Sequence, residues 1–560
     1  MKYLCSIMLA LILSTSLSAS NFLVFNSNDS GPGSLRDAIN QANANPGLDI
    51  ILFNIPGAGP HEIALQSPLP FLSNDIRIAG LSQPGAIQPT ATTPAVLKIA
   101  LNGAAAGAGA NGLSLSNNSV VAGIAIYGFD VEINVAGNNN RILACHIGLD
   151  ATGTIPIGTA FDRMIITGNS NIIGGATPNT RNVIAGSNNG IVIFPNASNN
   201  RIMENYIGTD ASGNNTIPGN GFDGIAVSSN DNFISSNVVV GYGSNNILIG
   251  RWSENDPIPQ GNIILGNQIG HHADGSFSSF ANNCQGISID NAMNTTVRYN
   301  VIYGNGCNGV LIDGNAATGN LVSRNSIYGN GELSINLGLD WVTPNDPGDG
   351  DTGPNQLQNY PVLQWAKRTG PFTRVKGNID TPDPGSVIIE FYVNAGPNST
   401  GHGDGRLYLG RRFPKNNGKF NVKLPGVPVG AYISAIAIDS DNNTSEFALS
   451  IPVTGNNGSN NLAIPSADVV TADSDLEIQV HAFPNPATSQ LTITYELPEA
   501  QTIQLNLIDG TGKRLQTIVN SKQDAGFYRQ EVNVSGLPSG LYFYQLVTEG
   551  KVQTGKVVKD

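Results

Sequence analysis

The sequence predicts an all-β chain: a solenoid of short stacked strands, followed by two small antiparallel β-sandwiches. Three observations carry this. The pairs Ile147-Gly148, Ile207-Gly208 and Ile269-Gly270 stand 60 and 62 residues apart, each leading into a loop, and a fixed period of this kind marks a repeat architecture. Within it runs a shorter period. Apolar alternations open at Gly190 (GIVIF), Gly224 (GIAVS), Gly286 (GISID), Gly309 (GVLID) and Leu333 (LSINL), and the steps free of inserted loop are 23 (286 to 309) and 24 (309 to 333) residues. One such unit cannot bury its own apolar face, but it can against a neighbour at the ~4.8 Å spacing of a sheet. Third, Asn205, Asn237, Asn267, Asn300 and Asn325 each precede a short strand of the form Asn-x-(Ile/Val). Asn tolerates a left-handed turn, and its amide can bond the same amide one rung above and below. Cys145 takes this place in the first long repeat and interrupts the ladder.

Taken in order, residues 1–20 read as a signal peptide, with Lys2, an apolar core Ile7 to Leu13 and the small residues Leu17-Ser18-Ala19-Ser20. No later stretch is long and apolar enough to span a bilayer. The solenoid is expected over 21–340. It opens with Ser34-Leu35-Arg36-Asp37-Ala38-Ile39-Asn40-Gln41-Ala42-Asn43. Ser34 can cap a helix there, Leu35, Ala38, Ile39 and Ala42 share one face, and the helix would cover the open end of the first rung. Arg36 is expected to serve this cap through an ion pair or carbonyl contacts. Irregular rungs follow to about residue 110, and regular coils run from Gly112 to about Gly338. Loops 148–162, 208–223 and 270–285 bulge at equivalent places, so they should stand together as one wall; the first two end in Phe161-Asp162 and Phe222-Asp223.

On these repeats and on the opening motif, residues 24–455 resemble the right-handed parallel β-helix proteins that bacteria secrete or display. The resemblance fixes the fold better than the function.

Residues 341–355 form an acidic Gly/Pro linker (Asp346-Pro347-Gly348-Asp349-Gly350-Asp351). No cofactor is expected, but calcium favours oxygen ligands, so this Asp cluster could hold it, although its spacing is not that of an EF-hand loop. Closely spaced strands at 356–455 (VIIEFYVN, KFNVKLP, AYISAIAID) predict a β-sandwich. Its Gly401-His402-Gly403 is similar to the Gly-His-Gly of polygalacturonases, but it lies outside the solenoid without that family's partner motifs, so no catalytic role is assigned to His402. A polar linker spans 456–476. Residues 477–560 contain Phe483-Pro484-Asn485-Pro486, Asp509-Gly510-Thr511-Gly512-Lys513 and Leu537-Pro538-Ser539-Gly540-Leu541-Tyr542. They closely resemble the type A C-terminal sorting domain of the type IX secretion system. This implies contact with that machinery, export across the outer membrane of a Bacteroidetes-type bacterium, and release or surface attachment after the domain is removed.

The net charge of −13 argues against nucleic acid or an anionic membrane as partner. It is neutral on sugars, but an acidic polysaccharide would need a local basic patch or a bridging cation. Cys284 and Cys307 each lie two residues before a rung glycine, so they should face one another, and rung spacing of ~4.8 Å suits a disulfide in an oxidising location. The candidate carboxylates are Asp290 and Asp313, which end equivalent strands one rung apart, with their side chains expected to point out. Two carboxylates so placed would raise one pKa, hold a cation, or approach the separation of a retaining glycosidase. Arg298 is the candidate base, and Tyr303 and Tyr328 are a candidate stacked platform for sugar rings. His271-His272 has no third ligand nearby to complete a metal site, and no metal set is assigned. Two functions follow. The first is a non-catalytic carbohydrate-binding or adhesin-like surface passenger. The alternative is a polysaccharide lyase or glycoside hydrolase with its groove along the solenoid.

Overall fold

The computed structural model describes residues 19–455, apart from 74, 159–160 and 277–283, and most of 480–559. The predicted signal peptide, except its last two residues, and the predicted linker 456–476 lie outside the described residues. The chain divides into two compact units, 1–470 and 471–560. No helix among the described residues is long and apolar enough to cross a membrane.

The first unit is a right-handed parallel β-helix. Among the described residues its strands form three wholly parallel sheets of eleven, ten and nine strands. One turn shows the plan. Asn189–Ile193 lies in the nine-stranded sheet, Arg201–Met203 in the eleven-stranded sheet and Tyr206–Ile207 in the ten-stranded sheet, and the chain then returns to Asp223–Val227. Side chains alternate across each strand, so Ile191, Ile193, Ile202, Ile207 and Ile225 all fill the lumen at 0% exposure. Burying one such side chain is worth roughly 1.5–3 kcal/mol, and the register repeats the gain at every rung.

Asparagine columns hold the corners. The backbone N–H and Nδ2 of Asn205 both donate to Asn237 Oδ1, at 2.9 and 3.0 Å. Asn237 does the same to Asn267, Asn267 to Asn300, and Asn300 to Asn325. Asn182 extends the column, and its Oδ1 accepts the Cys145 N–H at 2.9 Å. The left-handed residue of each corner is not the asparagine but the one before it: Glu204, Ser236, Tyr299 and Arg324 lie at φ 55 to 58°. The amide column holds these side chains in a conformation that costs about 1–2 kcal/mol each. A second column, Asn140, Asn171, Asn200, Asn232 and Asn262, lines the corner that enters the eleven-stranded sheet.

Both ends of the coil are covered. At the start, Ser34 Oγ accepts the Asp37 N–H, Asp37 accepts the Gly33 N–H, and Leu35, Ala38, Ile39 and Ala42 are buried. Arg36 pairs with Asp29 at 2.7 Å and donates to the Ser67 and Pro68 carbonyls. At the far end, segment 341–355 packs rather than dangling as a linker, because Asn355 continues the second column by accepting the Asn320 N–H. The sandwich, a seven-stranded sheet folded around its own core, lies against the last rung. Buried Glu390 accepts Ser323 Oγ, the Arg324 N–H and the Tyr392 hydroxyl, and Glu446 accepts the Leu337 and Thr343 N–H groups. Edge groups that would template aggregation are thereby used.

The three loops pack as a wall over the ten-stranded sheet. Ala211 N–H donates to Gly153 O, and Ala273 N–H to Gly213 O. Leu149, Tyr206, Ala211, Ile217 and Val238 form a separate apolar cluster beneath them. The second unit has antiparallel sheets of three and four strands around Leu491, Ile493, Leu505, Leu507, Val532 and Leu546.

Candidate functional site

The outer face of the nine-stranded sheet, between the loop wall and segment 251–260, carries the candidate carboxylates. Asp290 and Asp313 end neighbouring strands in direct register. Both side chains are partly buried and point outward, as the alternation requires. Burial raises the pKa of Asp290 and the nearby Asp313 charge adds to this, while a hydrogen bond from Asn291 Nδ2 at 2.8 Å and the charge of Arg251 oppose it. Gly250 is the register partner of Asp290 on the preceding strand. Gly250 is buried, and Asp290 and Leu248 pack closely over the place a side chain would take.

Aromatic side chains stand at both margins. Trp252 is 40% exposed and packs edge-on against Phe194, with ring centroids 4.7 Å apart at 89°. Phe161 and Phe222, at the ends of two wall loops, are 57% and 46% exposed and lie 5.7 Å apart. Next to them runs an alternating row. Asn189 Nδ2 donates to Asp162 at 2.8 Å, Asn189 Oδ1 accepts the Asp223 N–H at 3.0 Å, and Asn245 Nδ2 donates to Asp223 at 2.8 Å. Burial raises the pKa of both aspartates. The one large basic group within the sheet, Arg163, is fully buried and committed to Glu132 and the Ala185 carbonyl. The face therefore offers exposed ring surface, amides and carboxylate acceptors.

Other candidates lie elsewhere. Arg298 is on the eleven-stranded sheet, in register with Leu265 and Ser323, and its guanidinium sits 5.2 Å from the Tyr299 ring centre. It belongs to a different face from Asp290 and Asp313, because one turn of chain separates strands that sequence places only a few residues apart. Arg251 takes the place near the carboxylates, its charge acting on Asp290, and Trp252 follows it in the chain. The sequence signal for them was the long interval between Gly250 and Asn262, which interrupts the rung.

Tyr303 and Tyr328 do stack, 5.0 Å apart at 11°. Yet His271 covers the other side of Tyr303 at 4.5 Å, and the Arg406 guanidinium lies 5.0 Å over Tyr328. The ring faces are spent on one another, so they are no platform. His272 bonds Thr216 Oγ1 and Ser276 Oγ, both at 2.9 Å, and serves the wall. His402 bonds the Phe447 carbonyl at 2.8 Å within the sandwich. Cys284 and Cys307 occupy adjacent rungs, with Cys307 N–H donating to Cys284 O at 3.1 Å, but they stand as two thiols instead of the expected disulfide. Gln285 Nε2 donates to the Cys284 sulfur at 3.2 Å. Burial and the neighbouring Cys284 thiol push Cys307 up to about 12. Asp346, Asp349 and Asp351 bring three carboxylate oxygens within 4.8 Å of one another, a hard-oxygen set that suits calcium. Asp349 also accepts from Asn359 N, Gln358 Nε2 and Thr381 Oγ1, so the cluster ties the segment to the sandwich in any case.

Comparison with solved structures finds distant likenesses. A mutant of a periplasmic alginate epimerase is 14% identical over 52% of this chain and 74% of its own, with a TM-score of 0.32. The A-module of the Azotobacter vinelandii mannuronan C-5 epimerase is 12% identical over 56% of this chain and 80% of its own, at 0.31. Residues 481–560 match the family described as the secretion system C-terminal sorting domain. This β-helix protein is thus cargo of the type IX secretion system, exported to the cell surface or the extracellular space.

Proposed function

We propose that the exported protein is a non-catalytic, carbohydrate-binding passenger that holds a neutral glycan along the outer face of the nine-stranded sheet. The observation that carries this reading is the exposed Trp252 ring, packed edge-on against Phe194, on a sheet face that also carries the Asp290–Asp313 pair. Aromatic faces pack on the apolar side of a pyranose ring, and carboxylates accept its hydroxyls. The carboxylates of this face outnumber its cations, which disfavours an anionic chain there. The test is retention of the purified protein on a panel of immobilised neutral polysaccharides. Trp252→Ala should weaken retention by about tenfold on whichever glycan holds the native protein; unchanged retention would refute the assignment.

A second reading, hydrolysis, is favoured by Asp290 and Asp313 standing in register on neighbouring strands, since general acid–base work uses paired carboxyl groups and burial shifts Asp290 in the direction a general acid needs. Release of reducing ends that disappears in Asp290→Asn and Asp313→Asn would establish it.

A further inference from the structure

We infer that the outer face of the eleven-stranded sheet is a second binding surface, one that docks a linear anionic polysaccharide. The observation is a register row. Arg77, Val120, Arg141, Ile172, Arg201 and Phe233 follow one another across six neighbouring strands. The three arginines are exposed. They recur every second rung, about 9.6 Å apart at Cα from the ~4.8 Å strand spacing. None has an acidic side chain within 4.0 Å among the described residues, whose ion pairs are Arg36–Asp29, Arg163–Glu132 and Arg181–Glu204. The row two residues on carries Leu143, Met203, Leu265 and Arg298. Neither row contains Asp or Glu along its whole length. Acidic groups keep to the margins. Asp75 and Asp231 lie in turns that enter the sheet, and Glu204 lies in a turn that leaves it, where it pairs with Arg181 at 3.6 Å.

This is unusual in a chain of net charge −13. An anion is repelled by most of the molecule and drawn to this stripe. Guanidinium groups bind carboxylate or sulfate through two parallel hydrogen bonds. The apolar residues between them suit the ring faces of a sugar chain rather than a bare row of charges. A rigid parallel sheet fixes the cation spacing, so a polymer with anions at a regular interval meets several arginines at once and gains by multivalency. The sequence condition for an acidic polysaccharide, a local basic patch, is met here and not on the nine-stranded face.

The test uses the full chain and sodium polygalacturonate, with neutral dextran and duplex DNA as comparison polymers. The native protein should bind polygalacturonate, and binding should weaken steeply between about 0.05 and about 0.5 M NaCl, where the screening length falls severalfold. The combined variant Arg77→Ser, Arg141→Ser, Arg201→Ser should bind at least about tenfold more weakly, while the combined Arg→Lys variant retains part of the binding because the charge remains. No binding by the native protein, binding insensitive to salt, or equal affinity of the serine variant would overturn the inference. Equal or stronger binding of duplex DNA at the same salt would overturn the choice of polysaccharide. If the serine variant fails to fold, the salt series and the lysine variant still decide.

Discussion

Along the nine-stranded sheet, Ile225, Ile247, Ile287, Val310 and Ile335 succeed one another in the row that faces the lumen. The adjacent outward row reads Ala226, Leu248, Ser288, Leu311 and Asn336. The same backbone ladder carries both. Inside, each residue must fit the one above and below, so one residue type recurs. Outside, Ala226, Ser288, Leu311 and Asn336 are shielded as well, but they need not match the residue above and below, so the residue type varies. The outer faces have diverged accordingly: aromatic rings, amides and carboxylates on the nine-stranded sheet, alternating arginines on the eleven-stranded sheet, packed loops on the ten-stranded sheet. Interior changes should therefore cost stability and leave binding alone, and exterior changes the reverse.

The largest interior effect is expected from Asn237→Ala. It strips the acceptor from both Asn205 N–H and Asn205 Nδ2, and both residues are buried. At ~1–3 kcal/mol for each stranded donor, a loss of about 3 kcal/mol or more should appear in urea unfolding, with glycan retention of the folded fraction unchanged. A comparable effect is expected from pH at His146, which is buried beneath the first wall loop, where burial outweighs the opposing backbone contacts at Asp150 and Ala151. Burial lowers its pKa to about 4. The unfolded chain takes up a proton near pH 6.5 while the folded chain does not until about 4. Stability should therefore fall as pH drops through that window, by about 3 kcal/mol at most. His146→Phe should flatten this part of the pH–stability curve.

Exterior effects come next. Trp252→Ala should weaken retention of a neutral glycan by about tenfold, the scale of one lost aromatic contact, with the melting temperature unchanged. Tyr303→Leu tests the divide from the other direction, because that ring looks exposed in sequence but is spent on the His271–Tyr303–Tyr328 stack. It should cost about 1 kcal/mol of stability and nothing in binding. The smallest effect concerns Cys284 and Cys307. Adjacent thiols on neighbouring rungs should oxidise outside the cell, so intact-mass measurement of the exported protein should show loss of two hydrogens relative to the reduced chain; no mass change would contradict this.

Much of this was legible in the sequence because the interior repeats. Ile-Gly pairs, the Asn-x-(Ile/Val) corners and the Ser34 cap read through to lumen, column and helix without ambiguity. The second asparagine column was missed because Asn140, Asn171, Asn200, Asn232 and Asn262 stand in turns where asparagine is common anyway, and only register shows that they touch. Sequence proximity misled for Arg298, since eight residues beyond Asp290 the chain has already turned onto another sheet. Trp252 and the arginine row were invisible for a related reason. Arg77, Arg141 and Arg201 are 64 and 60 residues apart in sequence, and irregular loops between them hide the fact that they share one row.

On these two proposals, two outer faces of one coil bind different sugars. This is tested most directly by measuring neutral glycan and polygalacturonate binding in parallel for the native protein, Trp252→Ala and the combined arginine-to-serine variant. The account predicts that the tryptophan variant loses only the neutral glycan and the arginine variant only the polyanion. Loss of both ligands in either folded variant, or of neither in both, would contradict it.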